Sequence, residues 1–152
     1  MPVIPQIMQA PEDRPLVKIV YDTIPQPAAG TNLQLTVPVG YRLELKTLNC
    51  SVVTDANIPD RNLFYAIHTN VGPVLHFLQP YPFVNGETRN LSLATLPFAI
   101  QHSFAIMYAL WPFPNGLVLE EGSTLTIGLL NIQVGDQFSE APYMALSQFV
   151  AE

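Results

Sequence analysis

Three histidines, one cysteine and a few clustered carboxylates are the residues of this chain with the chemistry for catalysis or metal binding. His102 and Ser103 bring together a base and a hydroxyl, the pair a nucleophilic hydrolase needs. They are neighbours in a strand-like run, so their side chains point to opposite faces and cannot hydrogen-bond side by side. No G-x-S-x-G elbow presents a nucleophile. His68 and His76 flank the Gly72-Pro73 turn and are placed to pair across a hairpin. Two imidazoles without a third ligand make a poor zinc site, and packing or hydrogen bonding is the simpler use of both. Cys50 lies inside a strand-like run between Asn49 and Ser51 and reads as a small buried hydrophobe rather than a reactive thiol. The loop Asp55-Ala56-Asn57-Ile58-Pro59-Asp60 offers oxygens, but it lacks the glycine and distal glutamate of a calcium loop. An Asx-stabilised turn is expected there, with Arg61 in a weak ion pair with Asp55 or Asp60. Gly135-Asp136-Gln137 is not a phosphate loop and reads as a strand-end turn. These residues do not assemble into a catalytic constellation, so neither an enzyme nor a cofactor or metal site is expected.

The elements that carry these residues are strands. Proline is the compositional outlier, 15 residues in 152, and prolines from Pro2 to Pro142 leave little room for long helices. From Thr31 onward the apolar period is two: Leu33, Leu35 and Val37, then Tyr41, Leu43 and Leu45 after the turn Pro38-Val39-Gly40. The phase then slips by one residue to Leu48, Cys50 and Val52, which predicts a β-bulge or a change of buried face. Leu63, Tyr65 and Ile67 open another strand; Val74, His76 and Leu78 continue after a turn at Asn70–Pro73. Ala99–Leu110, Leu117–Leu119 and a long Ser123–Val134 strand with a second phase slip follow. A helical turn is expected near Met144–Phe149. About eight strands separated by loops every eight to twelve residues predict an all-β fold, an antiparallel β-sandwich of jelly-roll-like form.

Charge narrows the partners. Six Lys and Arg against twelve Asp and Glu give a formal charge of −6, and charged residues are only 12% of the chain. The six cations, Arg14, Lys18, Arg42, Lys46, Arg61 and Arg89, are scattered, so the electrostatic term that drives nucleic-acid binding is missing. A polybasic membrane anchor is missing too, and no apolar run is long enough to span a bilayer as a helix. Met1–Ala10 has neither the basic start nor the apolar centre of a signal peptide.

Residues 1–29 differ from the rest. Six prolines alternate with Val3, Ile4, Ile7, Met8 and Leu16, a pattern too aliphatic for polar disorder and too broken for a helix. The expectation is an extended Pro-rich N-terminal arm, with Leu16–Tyr21 as a possible first strand, ahead of a sandwich domain spanning 30–152. Val3, Ile4, Ile7 and Met8 are the candidate arm contacts. Tyr81, Phe83, Trp111 and Phe113, in or beside loops, are the candidate aromatic contacts, suited to a protein interface or to stacking on sugars.

Two stretches resemble a pattern in small structural proteins of tailed bacteriophages. In Val37-Pro38-Val39-Gly40-Tyr41-Arg42 a P-x-G turn starts a strand, and that strand ends in Thr54-Asp55-Ala56-Asn57-Ile58-Pro59-Asp60-Arg61, a T-D-A-x-x-x-x-R loop. Pro114–Ser123 and Asn131-Ile132-Gln133-Val134-Gly135-Asp136-Gln137-Phe138-Ser139 are similar to the C-terminal half of that pattern. The ending Ser147–Glu152 departs from the acidic-aromatic tail common in that family. The resemblance implies a head decoration, or cement, protein: a homotrimer that clamps the major capsid protein on the virion surface, made in the host cytoplasm. The alternative it leaves open is a tail or fibre appendage that binds host glycan.

Overall fold

The computed structural model describes residues 17–57, 60–69, 71–78, 82–94, 108–112 and 118–149. Val3, Ile4, Ile7, Met8, Tyr81 and Phe113 lie outside the described residues, as does most of the expected Ala99–Leu110 strand. Among the described residues there are eleven strands and no helix. In chain order they are β1 Val17–Ile24, β2 Leu33–Thr36, β3 Tyr41–Val53, β4 Asn62–Thr69, β5 Gly72–Leu78, β6 Thr88–Ala94, β7 Tyr108–Pro112, β8 Val118–Leu119, β9 Thr124–Leu130, β10 Gln137–Phe138 and β11 Ala141–Phe149.

The strands form two sheets. One runs β1-β11-β3-β6-β7, with β8 and β10 also paired to β3; the other runs β2-β9-β4-β5. Every pairing is antiparallel except β6 with β7. The pairs nest: β4 with β5, β3 with β6, β2 with β9, β1 with β11. These four nested pairs fall alternately into one sheet and the other. The inner faces meet in a single core that includes Leu33, Leu35, Leu45, Leu48, Val52, Leu63, Ile67, Leu91, Leu93, Leu125, Ile127 and Phe138.

The longest strand explains the first phase slip. β11 pairs Met144 with Thr47 and Ala145 with Leu45, so Lys46 has no cross-strand partner there. This bulge takes up one residue, and Leu43 and Leu45 before it face the same core as Leu48, Cys50 and Val52 after it. A second bulge sits in edge strand β5, where Ile67 pairs with Leu75 but His68 with Pro73. It falls beside a proline that has no N–H to give to the ladder.

Three expectations are corrected. Met144–Phe149 is not a helical turn but most of β11, held between β1 and β3. The second phase slip, after Leu129, marks the end of a strand rather than a bulge: β9 stops at Leu130 and Asn131 turns the chain with φ 60°. Thr88–Ala94, to which the apolar period assigns no strand, pairs with β3 along its whole length. The expected first strand, by contrast, is present as β1 and extends to Ile24.

Candidate functional site

The most densely bonded polar cluster lies where connections between the sheets converge. Arg61, immediately before β4, is fully buried. Its Nε donates to Asp136 Oδ2 at 3.0 Å, its Nη1 to the Asn57 carbonyl at 2.6 Å, and its Nη2 to Asp55 Oδ1. Asp136 is also fully buried and accepts the backbone N–H of Asp55 (2.9 Å) and of Gln133 (2.8 Å). Asp55 in turn accepts the Asn57 backbone N–H and side-chain amide, the expected Asx turn. Gly135 is a glycine for a steric reason: a Cβ there would lie 2.7 Å from Asp55 Oδ2 and push that carboxylate off the guanidinium.

Arg61 is therefore a buried clasp rather than half of a weak surface pair, and its second carboxylate comes from 75 residues away. The turn Gly135-Asp136-Gln137 supplies that partner, which local reading of a strand-end turn does not reveal. The one available signal is an arginine and two aspartates in turns of a chain so poor in charge. Partial burial works to raise the Asp55 carboxyl, but hydrogen bonds from Asn57 and Arg61, with the Arg61 charge, outweigh it and hold it below its ordinary value. The guanidinium thus donates to three oxygens of the cluster. Among the described residues no group of three or more His, Cys, Asp or Glu is arranged to hold a metal.

A second buried arginine braces the adjoining loop. Arg89, on β6, lies over the Phe83 ring at 3.9 Å from its centroid, and its Nε and Nη2 both donate to Glu87 Oε1 (3.0 and 2.7 Å). Phe83 is fully buried, and its N–H donates to the Arg61 carbonyl at 2.7 Å. This corrects its expected place at an interface: the ring belongs to the chain's own core. Trp111 lies on β7, opposite Leu93.

His102 and Ser103 lie outside the described residues, and among the described ones the remaining chemical candidates are not brought together. The hairpin register sets His76 opposite Ala66, not opposite His68, and His68 is exposed. Cys50 is buried, and burial pushes its thiol up to about 12, so at neutral pH it is protonated. Burial also raises the Tyr65 hydroxyl, and burial with the nearby Asp22 charge raises that of Tyr143.

Among the described residues, β1 exposes two large apolar side chains on one strand face. Ile19 and Tyr21 are 69% and 72% exposed on one face, opposite the half-buried Leu146 and Met144 of β11. The chain matches no protein-family model, no curated protein and no solved structure. No helix among the described residues is long and apolar enough to cross a membrane.

Proposed function

We propose that this chain is a non-enzymatic virion structural protein, a jelly-roll decoration or cement protein that binds the major capsid protein on the mature icosahedral head as a homotrimer. The nested strand pairing supports the jelly-roll reading, because a long hairpin rolled into two sheets is how such a fold is made. The observation that carries the functional reading is an apolar exposed edge, Ile19 and Tyr21, on a body whose buried charges are spent on holding its own loops together. Such a molecule is equipped to adhere. The bacteriophage-like stretches add to it: Asp55 and Arg61 from the first and Asp136 from the second form one ion-paired cluster.

Cementing works by linkage. A protein that binds the expanded shell and not its precursor stabilises the expanded state by mass action. Many copies on a symmetric shell allow each contact to be weak. In this reading the arm residues Val3, Ile4, Ile7 and Met8 bind a neighbouring subunit or the shell.

The test is co-sedimentation of the full chain, and of a chain lacking Met1–Ala10, with expanded and unexpanded capsids stripped of decoration. The expected result is binding of the full chain to expanded shells only, with binding or oligomer size lost on truncation. Full binding by the truncated chain removes the arm from the interface. Failure to bind any capsid, together with binding to a host-surface polysaccharide on a glycan array, overturns the cement reading in favour of an appendage.

A further inference from the structure

Among the described residues β1 is an outer edge of its sheet, hydrogen-bonded to β11 on one side. From Lys18 to Thr23 none of its residues is buried on either face. A long open edge is a template for pairing with another chain, and proteins that must avoid this blunt the edge with proline, bulges or unmatched charge. β1 has no proline, and its register with β11 is continuous over all eight residues. Its two charges, Lys18 and Asp22, are of opposite sign and equally spaced about Val20.

We propose that β1 pairs antiparallel with β1 of a second copy of this chain, in the register centred on Val20. In that register Lys18 stands opposite Asp22 of the other copy and Ile19 opposite Tyr21, each pair occurring twice by symmetry. Residues directly opposite share a face, with Cβ atoms within contact distance. One face of the joint thus carries two salt bridges, and the other carries two aliphatic–aromatic pairs that cover the exposed Ile19 and Tyr21 side chains. Every other antiparallel register separates Lys18 from Asp22, and a parallel in-register pairing sets Lys18 on Lys18. The strand's sequence therefore selects both partner and register. Each copy carries a formal charge of −6, so two copies repel in general, but β1 contributes one positive and one negative charge and meets itself without that penalty. The contact is isologous, hence two-fold, and is additional to any three-fold contact. It does not rest on the capsid reading.

The test uses the full chain carrying Val20→Cys, which places a thiol on the two-fold axis; the native thiol, Cys50, is buried. Mild oxidation at high protein concentration is expected to give a covalent dimer bridged at position 20. Adding Lys18→Asp or Asp22→Lys sets like charges opposite one another and slows bridging about tenfold, and combining the two exchanges restores it. Independently, chains carrying Lys18→Cys and chains carrying Asp22→Cys are expected to bridge when mixed and not when oxidised separately. Absence of the bridge at position 20, or a bridging rate indifferent to the charge exchanges, overturns the proposal. So does bridging of the Lys18→Cys chain by itself as fast as in the mixture.

Discussion

At the scale of single residues, the decisive feature is a guanidinium placed where three connections meet. Arg61 offers donors in a rigid planar fork and satisfies a buried carboxylate, a half-buried carboxylate and a carbonyl at once, which a lysine ammonium does not reproduce. Replacing Arg61 with Met leaves Asp136 charged, buried and without its cation. The expected cost is about 3–5 kcal/mol, read as a lowered denaturation midpoint with an unchanged slope. The same cluster sets a pH dependence. The folded chain holds Asp55 below its ordinary value of 3.8, so the unfolded chain binds that proton more readily. The contribution of Asp55 is fully present above the unfolded value and is lost as pH falls through it towards the lower folded value. Thermal unfolding followed from pH 7 to pH 3 is expected to show this acid-side loss, and Asp55→Asn to flatten it.

At the scale of elements, β3 shows how a bulge lets a long strand carry one extra residue and still keep one face to the core. Without the bulge at Lys46, the period-two pattern before it would be out of phase with the pattern after it, and one half of the strand would turn its leucines to solvent. Deleting Lys46 removes the extra residue itself, so Leu43, Leu45, Leu48, Cys50 and Val52 fall at every second position, keep the core without a bulge, and folding is expected to stay cooperative. Lys46→Ala keeps the bulge and gives up only the part-exposed ion pair to Glu44, at a cost of about 1 kcal/mol or less. Circular dichroism and thermal unfolding of the two variants separate the count of residues from the identity of the side chain. The phase slip that announces this bulge was legible in the apolar pattern; the similar slip after Leu129 was not separable from it by pattern alone. There the chain leaves the sheet through a left-handed Asn131, and only its neighbours show which case applies.

At the scale of the whole molecule, nested pairing brings the first and last strands together and leaves β1 outermost. The cement reading predicts self-association: light scattering at micromolar concentration is expected to give roughly three times the 16.8 kDa chain mass, and a lone monomer counts against it. What the sequence determined by itself was the all-β class and most strand positions, because period-two burial and proline placement are local properties. Tertiary structure alone decided three things. It made Met144–Phe149 a strand, since pairing with β1 and β3 overrides a segment whose own pattern does not alternate. It buried Phe83, because Arg89 closes over the ring. It joined Arg61 to Asp136, because an ion pair between residues so far apart in sequence exists only once the strand pairing has brought their turns together.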